Sequence, residues 1–117
     1  LKNRKQFGKL IGEFQALQHR AAELYVDIEI TRAATMKALQ ALDADVAKAA
    51  SAVAVAKARA GTTATRAVQE GVQMHGGMGM TDELNVGHYF KRISSINIQF
   101  GDPAYHVLRY AQLDAAA

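Results

Sequence analysis

Apolar residues recur at helical spacing over most of this chain, and glycine or proline interrupts them at a few places. From about Glu13 to Leu42, Leu17, Ala21, Leu24 and Ile28 step by three and four, and Met36 and Leu39 continue on a similar face. Glu23, Asp27, Glu29 and Arg32 fall mostly off that stripe, which predicts one long amphipathic helix. Asp43-Ala44-Asp45 then supplies a turn and an N-cap. A second long helix is predicted from about Val46 to Met74. Its stripe reads Val46, Ala49, Val53, Ala56, Ala60, Ala64, Ala67, Gly71 and Met74, all at steps of three or four. Nearly all of these are small, so a neighbouring helix can approach closely. Gly61 inside this pattern costs about 1 kcal/mol relative to alanine, yet the periodicity runs through it.

Gly76, Gly77 and Gly79 end the second helix. A shorter helix is predicted from about Leu84 to Ile96. Asp102-Pro103 then marks a strong helix start, because Asp caps free N–H groups and Pro suits the first turn. The last helix runs from about Pro103 to Leu113, and the residues from Asp114 onward read as a fraying end. Residues 1–12 are polar and basic, broken by Gly8 and Gly12. No alternating strand pattern exceeds a few residues; Ile96–Phe100 fits a strand but has no partner. The predicted fold is all-α, an antiparallel helical bundle.

Composition narrows the function. The chain has 117 residues, the size of one domain, and can bury roughly two-thirds of its unfolded surface. Half of it is hydrophobic but only 7% aromatic, and the net charge is +3. No Lys/Arg run is long enough to suggest nucleic acid as a partner. Without cysteine there is neither a disulfide framework nor a thiolate site. No stretch is long and apolar enough to span a membrane, and the expected location is cytoplasmic. Leu1-Lys2-Asn3-Arg4 is neither an initiator methionine nor a signal peptide, so the chain reads as a piece of something longer.

Few residues suggest chemistry on their own. His19, His75, His88 and His106 are scattered, and no Glu has a His three residues later, so no metal site is predicted. Ser94 and Ser95 lie in a helical pattern rather than a nucleophile elbow. Gly76, Gly77 and Gly79 let backbone approach a ligand closely, but they follow the negative end of a helix dipole and so make a poor phosphate cradle. Spacing alone fits an ordinary helix stop equally well. Arg4, Lys5, Lys9 and Gln15, with Phe7 between them, fit a phosphate-binding segment, yet on spacing the better reading is a basic linker.

Taken in order, these segments resemble the C-terminal helical domain of the acyl-CoA dehydrogenases, over nearly all of residues 1–117. The family's Arg-x-x-Phe-Gly…Phe-Gln pattern stands as Arg4-Lys5-Gln6-Phe7-Gly8 and Phe14-Gln15, and its Gln-x-x-Gly-Gly-x-Gly as Gln73 to Gly79. Thr81-Asp82-Glu83 and Lys91-Arg92 fall where the family has similar residues. The resemblance implies a flavoprotein that removes two hydrogens from an acyl-CoA substrate. It implies that Arg4, flanked by Phe7 and Gln15, meets the FAD pyrophosphate of a neighbouring subunit. Gln73, Met74, Gly76 and Gly77 would line the adenosine portion.

Two departures qualify this resemblance. Counted without gaps from Gln73, the family's Glu-Gly-Thr segment falls on Phe100-Gly101-Asp102. A phenyl ring has no titratable proton, so Phe100 supplies no general base. The family's N-terminal and middle domains are absent, as is most of the helix leading into Arg4. An apolar strip left where that helix packs predicts self-association of the isolated chain. The expected role is therefore a subunit without its own glutamate, completing an FAD site within a homo- or hetero-oligomer. The alternatives are an active dehydrogenase whose base lies on the preceding helix, and a helical oligomerisation module without a ligand.

Overall fold

The computed structural model describes residues 1–115. It is an antiparallel bundle of four helices: α1 Gln15–Ala44, α2 Ala50–His75, α3 Val86–Ile98 and α4 Pro103–Ala115. A short 3-10 turn at Ile11–Glu13 leads into α1, and others at Val46–Lys48 and Gly76–Met80 follow α1 and α2. The predicted elements are all present, with ends shifted by a few residues. Ile96–Ile98 completes α3 rather than starting a strand. α4 continues to Ala115, and Ala116–Ala117 lie outside the described residues. The extents of 58 × 27 × 23 Å reflect α1, whose 30 residues span about 45 Å.

α2 is the central helix, with α1 on one side and α3 and α4 on the other. The inward face of α1 includes Leu17, Arg20, Leu24, Asp27, Thr31, Ala34, Ala38 and Ala41, all at least half-buried. Their steps alternate strictly between three and four, the heptad spacing that keeps a seam facing a supercoiled partner. The matching seam on α2 and the residue before it is Ala49, Ala52, Ala56, Arg59, Thr63, Arg66 and Glu70. Alanines pack at one end. Toward the other end the contact is polar.

Polar pairs fix the antiparallel register of these two helices. Arg20 pairs with Glu70 at 2.7 Å. Asp27 takes Arg66 at 2.7 Å on one oxygen and Arg59 at 3.1 Å on the other. Arg66 also bonds Glu23, and these two carboxylates, Glu23 first, hold its guanidinium charged by raising its pKa. The Thr31 hydroxyl donates to the Asp27 carbonyl at 2.8 Å and accepts from the Thr63 hydroxyl at 2.8 Å.

This geometry corrects the predicted stripe on α1. Leu17, Ala21 and Leu24 do face inward, but Ile28, Met36 and Leu39 are exposed. The seam drifts away from them and passes through Asp27, because a carboxylate with two guanidinium partners is a satisfied contact residue. Val46, first in the predicted α2 stripe, is also exposed. Tyr25 on the same helix is exposed as well.

The second face of α2 explains Gly61. A Cβ added there would lie 2.8 Å from Asn97 Oδ1 and 2.8 Å from Pro103 Cγ. The end of α3 and the start of α4 therefore cross α2 at a point where only hydrogen fits. Asn97 secures the crossing, its amide donating to Thr65 Oγ1 at 2.8 Å. Lys57 bonds the last turn of α3 at the Ile96 carbonyl, 3.0 Å away. Gly61→Ala should gain about 1 kcal/mol of helix propensity but lose about 2 kcal/mol to overpacking. Thermal unfolding should show a melting temperature lower by roughly 5 °C. An unchanged or raised melting temperature would show that the crossing has slack.

Candidate functional site

The N-terminal segment is a built element rather than the linker its charge suggests. β1 (Lys5–Gln6) pairs antiparallel with β2 (Lys9–Leu10), in the register Lys5↔Leu10 and Gln6↔Lys9. Phe7 and Gly8 turn between them with φ of 54° and 80°, the pattern of a type I′ hairpin turn. Glycine tolerates this freely; phenylalanine is strained there by about 1–2 kcal/mol. The hairpin is tied down at its base. The Ile11 amide donates to the Arg4 carbonyl at 2.9 Å, and the Gly12 amide donates to the Leu1 carbonyl at 3.2 Å. Gln18 reaches back from α1 to the Gly12 carbonyl at 2.9 Å. These bonds fix the backbone that carries Arg4.

Arg4 lies against the glycine turn. Gly76 ends α2 with φ 63° and ψ −143°, a region closed to residues with a side chain. A Cβ at Gly76 would lie 3.3 Å from Arg4 Nη1. Arg4, Ile11, Met74, His75, Gly77 and Met78 line an open groove of about 1060 Å³. Nothing lies within 4 Å of a Cβ added at Gly77, so its backbone faces open space. Gly79 differs: it is buried, and its Cβ would lie 2.5 Å from the Val72 carbonyl oxygen. Gly77 therefore leaves room for a ligand, whereas Gly79 lets the turn close onto α2.

The structure gathers Arg4, Met74, Gly76 and Gly77 at this groove and places the other expected residues elsewhere. Gln73 is turned about 100° around α2 from Met74, into a separate pocket of about 370 Å³ with Gln69, Met80, Thr81, Phe90 and Lys91. Phe7 stands at the hairpin tip, edge-on to Phe14 at 6.2 Å, and Gln15 opens α1; neither lines the groove. His75 lines the groove although its sequence context marks nothing special. Its Nδ1 lies 2.7 Å from the Gly71 carbonyl, which only accepts. Nδ1 therefore carries a proton and donates to that carbonyl, which points Nε2 away from the helix backbone. Arg4 pairs with no carboxylate among the described residues, so its five donors remain available to an anion.

Phe100 is remote from that groove. Its turn adjoins Pro103, which packs on Gly61, about 22 Å along α2 from Gly76. Phe100 is 92% exposed. The nearest carboxylate in sequence, Asp102, accepts the Tyr105 amide proton at 2.7 Å and so caps α4.

The family profile for the acyl-CoA dehydrogenase C-terminal domain matches residues 1–112. This chain belongs to the acyl-CoA dehydrogenase family. Acyl-CoA dehydrogenase IpdE2 of Mycobacterium tuberculosis is 43% identical over 91 residues, covering 78% of this chain and 27% of that protein. IpdE2 of Mycolicibacterium smegmatis is 35% identical over 108 residues, covering 92% and 33%. Among solved structures, a variant of the Tcur3481–Tcur3483 steroid acyl-CoA dehydrogenase superposes with a TM-score of 0.93 at 31% identity, covering 99% of this chain and 32% of that one. An FAD complex of PigA superposes with a TM-score of 0.88 at 25% identity, covering 97% and 30%. The chain thus spans about a third or less of the length of the curated relatives it matches. Among the described residues, no helix of this acyl-CoA dehydrogenase domain is long and apolar enough to cross a membrane.

Proposed function

We propose that this domain completes an FAD site in a neighbouring subunit of an acyl-CoA dehydrogenase-like flavoprotein, without supplying a glutamate base of its own. The observation that carries the second half is Phe100. It stands where the family's glutamate is counted to fall, and it is exposed. Carbon and hydrogen at that position accept no proton. Asp102 lies two residues away and its Oδ1 caps α4, so it is assigned that structural role.

The groove supports the first half. Arg4 presents a fork of donors that suits a diphosphate, and the hairpin holds its backbone in place. Gly76 and Gly77 keep side chains away from the ligand's path, and the apolar Met74 and Ile11 suit its uncharged portion. FAD bound here would supply the hydride acceptor for the dehydrogenation. The residues of this chain would only bind and orient it. Gln73 would contribute from the adjoining pocket, reached by a ligand that passes over the glycine turn. Phe7, exposed at the hairpin tip, and Gln15 would lie beside that path.

The partner that bears a glutamate is proposed to be a second, different subunit. The structural relative named for two proteins supports a hetero-oligomer. The test is acyl-CoA dehydrogenation by the complete gene product, alone and co-expressed with a glutamate-bearing acyl-CoA dehydrogenase subunit. Loss of a general base costs a factor of about 10² to 10⁴, so the product alone should turn over at least about a hundredfold more slowly than the pair. Full activity of the product alone would contradict the reading and place the base elsewhere in its own chain.

A further inference from the structure

The groove beside the glycine turn sits at the carbonyl end of α2, where the helix dipole is negative and repels an anion. A diphosphate held there needs positive side chains to offset that end. The N-terminal segment brings two cations to the groove, Lys2 and Arg4. Neither pairs with a carboxylate among the described residues. α2 itself brings a third group, His75, its last residue, whose charge depends on pH.

One contact orients the His75 ring. Nδ1 donates to the Gly71 carbonyl oxygen at 2.7 Å, one turn back along α2. That nitrogen keeps its proton in either charge state, so only Nε2 changes. Neutral His75 turns a lone pair of Nε2 away from the helix, and a lone pair repels a phosphate oxygen. Protonated His75 turns a charged N–H donor the same way. Arg4 is close by: its Nη1 lies 3.3 Å from a Cβ built on Gly76, the residue that follows His75.

No carboxylate lines this groove. The turn Gly76–Met80 carries no charged side chain. On α2 the nearest acid along the chain, Glu70, is taken by Arg20 at 2.7 Å. In the N-terminal segment Glu13 accepts from the Leu10 amide. Asp82 lines the adjoining pocket with Lys91, and Glu83 lines neither. An anion is therefore the missing counter-charge for Lys2, Arg4 and a protonated His75, and its arrival favours the protonated ring.

We propose that His75 is a ligand-binding residue whose protonation sets how tightly the groove holds a diphosphate. The imidazolium donates its Nε2–H to a phosphate oxygen beside the Arg4 fork, and the neutral ring does not. The diphosphate does not titrate across the range in which histidine changes charge, so the pH dependence belongs to the protein. Binding takes up a proton. The extra affinity is present at the acidic side of that range and is lost as pH rises through it. The identity of the ligand as FAD rests on the flavoprotein reading above.

The test uses the apo form of the complete gene product assembled with its partner subunit, substituted in this chain only. FAD is titrated calorimetrically at about pH 6 and about pH 8, in two buffers of different ionisation enthalpy. The parent should bind roughly tenfold more tightly at the lower pH, the scale of one charge-assisted bond at an exposed site. The comparison of buffers should show net proton uptake. His75→Gln and His75→Ala should each lose the pH dependence and the uptake, because neither side chain titrates. Circular dichroism checks that both variants fold; the only bond of the ring that they remove is an exposed one. Arg4→Ala should weaken FAD at both pH values. Parent-like pH dependence and proton uptake in the two His75 variants would overturn the assignment to His75 and leave the flavin reading standing. Arg4→Ala binding as tightly as the parent at both pH values would sink the flavin reading and this inference with it, as would a parent assembly that binds no FAD.

Discussion

The Gly79→Ala variant is expected to melt well below its parent, by roughly 10 °C or more. An added Cβ would sit 2.5 Å from the Val72 carbonyl oxygen, 3.0 Å from its Cα and 3.1 Å from its carbonyl carbon. All three atoms are α2 backbone, which cannot rotate out of the way as a side chain can. The turn would have to lift off the helix, at a cost of about 3 kcal/mol by overpacking and lost contact. Gly77→Ala is the internal control. Its Cβ meets nothing within 4 Å, so its stability should stay within about 0.5 kcal/mol of the parent. Differential scanning calorimetry on the pair checks both. Equal melting temperatures would mean that the turn is not closed onto α2 as described.

Arg4→Ala is expected to have the largest effect on ligand binding and almost none on folding. Only the backbone of Arg4 takes part in the hairpin tie, through its carbonyl, and its side chain pairs with no carboxylate among the described residues. Removing it leaves no buried charge behind. A guanidinium that forks onto a diphosphate makes charge-assisted bonds worth about 1.5–3 kcal/mol each. Losing the fork should weaken FAD by roughly a hundredfold or more. Flavin titration of the apo form of the complete gene product, with circular dichroism to confirm the fold, measures this.

The helices were legible because long, repeated three-and-four spacing admits few other structures. The phase of the α1–α2 contact was not. Its central layers are Asp27 with Arg59 and Arg66, and Thr31 with Thr63, and each such residue looks solvent-facing until its partner on the other helix is known. Ile28, Met36 and Leu39 then drew the stripe toward a face that α2 does not cover. The hairpin escaped because its strands are two residues each and because Phe7 occupies a turn position where asparagine or glycine is the recognisable signal.

The candidate site was legible in part for a related reason. Order along the chain pairs Arg4 with the glycine segment, and the fold brings them within contact of each other. Gln73 is next to Met74 in sequence, but one helical step turns it about 100° around α2, into a different pocket. His75 reads in the sequence only as one of four scattered histidines, because a lone histidine near a helix end carries no motif. Only the carbonyl bond to Gly71 and the groove around it mark the position.

The central claim is that this domain serves a flavin held mainly by another subunit. The direct measurement is the FAD content of the co-purified pair, by visible absorbance per partner chain, when Arg4→Ala is made in this chain alone. The account predicts that flavin is lost from the pair although the partner's sequence is untouched and the pair still assembles. A full complement of FAD in that assembly would contradict it.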